Sequence, residues 1–197
     1  MTLLSEVKVH AAPSVEPITL TEAKAYMKVD YTNDDTLIED VLIPSARQMV
    51  EKMINKSLIT QTLKAYYTSF GEVVHLPYSP VQSVSSVKRI QQNTSTTLTV
   101  DSDYYVQGLD EKFLIISSPY SFSHLGHSPS DSLTATELQV EYIAGYGAAA
   151  SDVPAIIKEA IRKIVAFNYE NRNEDEAGLS IPTSAINLLN KYRVWQI

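Results

Sequence analysis

Two amphipathic helical segments on either side of a long strand-like region constrain the fold more than any other feature of this sequence. Apolar residues recur with a period near 3.6 from Leu37 to Ile54 and again from Ile156 to Tyr169. The apolar face of each helix must be covered, and the nearest cover is the other helices. The sequence therefore predicts an α+β fold: a helical bundle formed by the N- and C-terminal segments with an inserted antiparallel β-domain.

The domain boundaries follow from where these patterns begin and end. Residues 1–17 contain two prolines and no apolar period, so they are predicted to form an extended N-terminal arm. Residues 18–57 and 151–197 are predicted to form the helical core. Residues 58–150 are the predicted β-domain, in which short spacings between strands require hairpins and hence antiparallel pairing.

Local signals refine these elements. Thr19 stands three residues before Glu22, which predicts a capping box at the start of a short helix. Pro44 removes one backbone hydrogen bond inside the next helix, so we expect a kink at residues 40–44. The predicted strands are 58–70, 73–76, 81–91, 96–100, 104–106, 113–116 and 137–143.

A serine-rich loop at residues 117–136 is longer than most compact domains contain. It is therefore a candidate contact loop, and its candidate contact residues are Tyr120, Phe122, His124 and His127.

Composition excludes several classes of protein. Lys and Arg number 16 against 23 Asp and Glu, a net charge of −7, which has the wrong sign for a domain that binds DNA by neutralising phosphates. The absence of cysteine removes disulfide scaffolds and thiol chemistry, and is consistent with folding in a reducing cytoplasm. No apolar run is long enough to cross a bilayer, so no membrane partner is expected.

The motifs that could carry chemistry are incomplete. Residues 145–150 match G-x-G-x-x-A, but the next helix signals come only at residues 151–154, too late for a dinucleotide turn. His124 and His127, even with Asp131 nearby, give fewer fixed donors than a zinc site needs. A small hydrolase using His75 or His124 has the residue types without the spacing. We expect no enzyme activity, no cofactor and no metal.

The last residues of the chain are more informative. Tyr192, Arg193 and Trp195, with Val194 between them, include the side-chain types that are most enriched where binding energy concentrates. Two interpretations are open: the segment packs on the core of its own chain, or it binds a partner or a neighbouring subunit.

Several local sequences in a fixed order resemble the head-tail connector, or adaptor, proteins of long-tailed bacteriophages. The segments that carry the resemblance are 17–24, the acidic cap and long helix through 46–47, and then 58–62, 76–77, 80–84, 103–105, 142–147, 153–156, 169–172 and 192–195. Together they extend over nearly the whole chain. Pro44 and the serine-rich loop depart from the family pattern.

The resemblance implies a structural virion protein, made in the bacterial cytoplasm and located in the neck of the virion. Identical subunits would form a ring beneath the portal protein, expected to be a dodecamer. The ring would extend the DNA channel and offer a docking platform for the next neck, stopper or tail protein. DNA would pass through the lumen without specific binding, because acidic walls repel phosphates. Residues 192–195 would bind the portal or an adjacent subunit.

A different class of function is left open by the β-domain. Tyr120 and Phe122 in a hydroxyl-rich loop could stack on sugars, so the alternative is a virion-associated module that recognises a glycan or a host surface.

Overall fold

The computed structural model describes residues 2–91, 94–117, 136–171 and 180–194. It divides into two compact units, one rich in strands and one helical. Together they make the chain an α+β protein with antiparallel sheets, as the sequence predicts.

The strand-rich unit comprises residues 1–12 and 61–145. Its described strands are β1 (Leu3–Ala11), β2 (Gln61–Ser69), β3 (Val73–His75), β4 (Val81–Gln91), β5 (Thr94–Thr97), β6 (Tyr104–Gln107), β7 (Phe113–Ile116) and β8 (Thr136–Ala144). One sheet has the order β1-β2-β8-β4-β5, and the other has the order β3-β7-β6. Every pairing between these strands is antiparallel.

The core of this unit is built from alternate residues of the strands. On β2 and β8 these are Leu63, Ala65, Tyr67, Leu138, Val140 and Tyr142. The hydroxyl groups of the buried Tyr67 and Tyr142 each have a hydrogen-bond partner. The Tyr67 hydroxyl donates to the His75 carbonyl at 2.6 Å, and the Tyr142 hydroxyl donates to the Pro77 carbonyl at 2.9 Å.

The helical unit comprises residues 13–60 and 146–197. Its described helices are α1 (Leu20–Met27), α2 (Asp35–Leu37), α3 (Ile43–Ile54), α4 (Ala155–Glu170) and α5 (Thr183–Leu189). A π-helical turn, Ile38–Leu42, joins α2 to α3, and 3-10 turns occupy Ala150–Asp152 and Asn190–Tyr192. The apolar faces of α3, α4 and α5 share one buried cluster, which includes Val50, Ile161 and Leu189.

The predicted capping box is present, and a π-helical turn interrupts the helix near residues 40–44, where a kink is expected. The Glu22 backbone N–H donates to the Thr19 hydroxyl at 3.2 Å, and the Thr19 N–H donates to the Glu22 carboxylate at 2.9 Å. Pro44 lies in the first turn of α3, directly after this π-helical turn. The interruption takes the form of the π-helical turn, because the Ile43 N–H donates to the carbonyl of Ile38, five residues back.

The N-terminal segment is predicted to form an extended arm. Its residues Leu3–Ala11 form β1, which pairs antiparallel with β2. Leu4 and Val7 pack against the core of the strand-rich unit, so β1 gains both a backbone partner and buried apolar surface. The pairing has register shifts near both ends, and these irregularities hide the alternation that would have signalled a strand.

Candidate partner interface

The end of the described chain lies against its own helical core. Tyr192 is partly buried against the cluster that contains Leu189 of α5. The Val194 backbone N–H donates to the carbonyl of Ile54 at 3.0 Å, which places this segment at the C-terminal end of α3. Arg193, between them, is exposed. Of the predicted binding residues, Tyr192 and Val194 therefore contact their own core, and their role in binding a partner stays a prediction.

Basic side chains gather at this end of the helical unit. Lys52 and Lys56 lie on either side of Ile54 in sequence, and Lys191 and Arg193 precede the Val194 contact. Lys52 and Lys191 are exposed, and neither forms an ion pair within the described part of the chain. We call these four residues the basic end. Their charge also complements the negative end of the α3 dipole.

A buried ionic network fixes the segment that leads into α1. Arg47 on α3 donates from Nε to Glu16 at 2.8 Å and from Nη1 to Glu51 at 2.8 Å. The other Glu51 carboxylate oxygen accepts the Leu58 backbone N–H at 2.9 Å. Burial raises the pKa of Glu51, while the Leu58 N–H and the Arg47 guanidinium act in the opposite direction. Both carboxylates form ion pairs or hydrogen bonds within the fold, which indicates that this network has a structural role.

A second polar cluster ties α4 to the segment before α2. The Tyr169 hydroxyl donates to the Asp34 carboxylate at 2.6 Å and lies 2.5 Å from the Tyr31 hydroxyl. The Asp34 hydrogen bond, with the Tyr31 bond next, raises the pKa of Tyr169. Tyr169 therefore remains a neutral donor, which again indicates a structural role.

The sequence motifs considered for chemistry have structural explanations where the structure describes them. Within residues 145–150, the Asp152 carboxylate accepts the Ala149 N–H at 3.0 Å, so an anionic side chain occupies the turn that would have faced a phosphate. The His75 ring packs against the Phe113 ring, with 5.7 Å between their centroids. The candidate loop residues Tyr120, Phe122, His124 and His127, and the terminal Trp195, lie outside the described residues.

The described residues contain neither a metal-binding cluster nor a membrane-spanning helix. No group of three or more His, Asp or Glu side chains there could hold a metal ion. No helix in the same part of the chain has the length and apolar character to span a membrane.

One exposed apolar residue of the strand-rich unit was not singled out from the sequence. Leu109 lies in the turn between β6 and β7 and is 90% exposed. The sequence could have indicated this residue, because a leucine between Gly108 and Asp110 stands in a turn, where polar residues are usual.

Comparison with protein families finds one match, which covers slightly less than half of the chain. Residues 17–109 match the family of phage gp6-like head-tail connector proteins, so the resemblance found in the sequence is confirmed over this range. No curated protein is similar to the chain at a significant level.

The fold is shared with solved structures of gene transfer agent particles. A chain from the neck of an empty particle, computed with C6 symmetry, aligns with a TM-score of 0.74 and 17% identity, covering 98% of this chain and 97% of the other. A chain from the virion of the native particle gives the same values. A chain from the neck of the native particle, computed with C12 symmetry, aligns with a TM-score of 0.64 at 17% identity, covering 96% and 97%. At this identity the likeness shows a common fold.

Proposed function

We propose that this protein is a structural component of the neck of a phage or phage-like particle, a head-tail connector without enzymatic activity. The observation that carries the proposal is the match of residues 17–109 to the connector family. The fold likeness to chains of neck and virion structures, which extends over nearly the whole of this chain, supports it.

In this role, identical copies form a ring beneath the portal protein, with a dodecamer as the expected number. The C6 and C12 symmetries with which the similar necks were computed support a ring. Residues 18–57 and 151–197 serve as the helical connector core, and residues 58–150 are carried as an inserted β-domain. The ring extends the DNA channel and presents a platform to the next neck or tail protein.

The net charge of −7 supports a channel that DNA passes through without specific binding. A lumen lined by carboxylates repels the phosphates and leaves the duplex free to slide. Lys and Arg side chains lining the bore of an assembled ring would contradict this part of the proposal.

Residues 192–195 are proposed to bind the portal or an adjacent subunit. Tyr192 is only partly buried and Arg193 is exposed, so the segment keeps surface for a partner while it packs on its own core. A large aromatic and an arginine are the side chains that most often dominate such contacts.

The test measures assembly directly. Light scattering gives the mass of the purified protein with and without the portal protein of the same particle, and negative-stain imaging shows whether rings form. Persistent monomers that ignore the portal would refute the proposed function.

Deletion of residues 192–197 tests the terminal segment. We expect circular dichroism to remain nearly unchanged and co-sedimentation with the portal to be lost. Arg193→Ala should weaken co-sedimentation, whereas Lys28→Ala, which also removes an exposed cation from the helical unit, should not. Unaltered portal binding by the deletion variant would exclude the segment from the contact.

A further inference from the structure

The turn between β6 and β7, residues 108–112, presents an exposed apolar side chain on a fixed backbone. Leu109 is the most exposed of the large apolar side chains in the described residues, and on the adjoining strand Tyr105 and Val106 are 42% and 37% exposed. β6 lies at the edge of its three-stranded sheet. Exposed apolar groups beside a sheet edge are typical of a surface that a partner covers. We call residues 108–112 the hairpin tip.

Hydrogen bonds hold the hairpin tip in one conformation. The Asp110 carbonyl accepts the Val81 N–H at 2.9 Å, and the Lys112 carbonyl accepts the Leu76 N–H at 3.2 Å. Gly108 has a φ of 97°, and a Cβ added there would lie 2.2 Å from the Glu111 carbonyl oxygen. The exposure of Leu109 therefore belongs to a preorganised turn, which loses little conformational entropy when it binds.

Charge defines what the hairpin tip can bind. Asp110 and Glu111 are exposed, and within the described part of the chain neither carboxylate forms an ion pair. The adjacent Lys112 offsets only one of these two charges, and its ammonium group donates to the Gln82 carbonyl at 2.6 Å, so the hairpin tip keeps a net negative charge. A complementary surface must offer apolar area beside positive charge.

The same chain carries such a surface. The basic end presents the cations of Lys52 and Lys191, and the partly exposed Tyr192 and Val194 flank its Arg193 in the chain. We infer that the hairpin tip of one subunit docks on the basic end of an adjacent copy. Because two different patches meet, the contact is heterologous, and repeated head to tail with a rotation that closes it generates a ring. This inference rests on the proposed function and specifies the surfaces through which its ring closes.

Charge reversal on either side tests the contact. A tip variant carries Asp110→Lys with Glu111→Lys, and a base variant carries Lys52→Glu with Lys191→Glu. All four side chains are exposed, so both variants should keep the circular dichroism of the native protein. We expect each variant alone to require at least about tenfold more protein to form rings, measured by sedimentation velocity with and without portal.

Restoration makes the test specific. In an equimolar mixture, the lysines of the tip variant can contact the glutamates of the base variant. The unchanged hairpin tip of the base variant can contact the unchanged basic end of the tip variant. Rings of alternating subunits should therefore form from the mixture, and also from a single chain that carries all four substitutions. Leu109→Ser should weaken assembly without being restored by either charge change.

A matched control separates the contact from a general effect of charge. Glu39→Lys with Asp40→Lys makes the same change in net charge at two other exposed positions and should assemble like the native protein. Assembly of the tip variant at native concentration, failure of the mixture to form rings, or equal loss in the control would each overturn the inference. If the native protein itself forms no ring and ignores the portal, the proposed function fails as well.

Discussion

Glu22 shows how a single carboxylate joins a local helix signal to the tertiary fold. One oxygen accepts the Thr19 N–H in the capping box, and the other lies 3.2 Å from Arg162 and 3.7 Å from Lys158 on α4. The Thr19 hydrogen bond is the largest cause that lowers the pKa of Glu22, with the two cations contributing further. The same side chain thus starts α1 and attaches it to α4.

We therefore expect Glu22→Gln to destabilise the protein in a pH-dependent way. A lowered pKa means that the folded state binds the proton less readily than the unfolded chain, so the carboxylate stabilises the fold above about pH 4.5 and loses this effect as the pH falls through its folded pKa. Because the side chain is partly exposed, the loss at pH 7 should be about 0.5 to 1 kcal/mol. Urea unfolding followed by helical circular dichroism at pH 7 and pH 3 measures the difference.

Glu72→Gln is the control for this prediction. Glu72 is exposed and forms no ion pair with another described residue, so its replacement should change stability little at either pH. A Glu22→Gln effect that persists undiminished at pH 3 would show that the charge of the carboxylate is not responsible.

At the scale of elements, the turn before α4 depends on one close approach of the backbone. A Cβ at Gly147 would lie 2.7 Å from the Asp152 Cβ and closer still to its carboxylate. Asp152 would have to move and give up its hydrogen bond with the Ala149 N–H. We expect Gly147→Ala to lower the free energy of unfolding by about 1 to 3 kcal/mol, measured by urea denaturation.

Gly71→Ala provides the comparison, because its added Cβ would meet only the Thr2 hydroxyl at 4.0 Å. That variant should be as stable as the native protein. Equal stability of both alanine variants would show that the turn at residue 147 accommodates a side chain.

Elements defined by local pattern were predictable from the sequence. β4 and β7 have the predicted bounds, because alternation and the flanking turn residues mark both ends. The capping box was predictable because its two residues lie three apart. β1 was not, since its partner β2 lies some sixty residues away and the register shifts disturb its alternation. The buried position of Glu51 was not predictable either, because its partners Arg47 and the Leu58 N–H bind it only in the folded chain.

The candidate interface was predictable only in part, for the same reason. Aromatic and basic residue types near the C-terminus drew attention to Tyr192 and Arg193. The neighbouring Lys52 is far away in sequence, and the folded chain brings the two regions together through the packing of Tyr192 and the hydrogen bond from Val194 to Ile54. Composition suggests a binding segment, whereas its charged surroundings arise from tertiary structure.

At the scale of the whole molecule, net charge predicts how the protein behaves toward DNA. An excess of seven negative charges repels the phosphate backbone, and the basic end offers only a few cations in opposition. Proteins that bind duplex DNA non-specifically typically do so with dissociation constants of about 10⁻⁴ to 10⁻⁶ M at physiological salt. A protein of this charge should bind more weakly than that range.

Fluorescence anisotropy of a labelled 30-base-pair duplex at 150 mM salt measures this property. We expect no binding at protein concentrations up to about 100 μM, either with the ring assembled on portal or with the free chain. The base variant described above, which loses cations, should behave identically. If the native protein binds the duplex and the base variant does not, the basic end binds DNA and not a neighbouring subunit. If the native protein and the base variant both bind the duplex, another cationic surface must be responsible, and this result would contradict an acidic lumen.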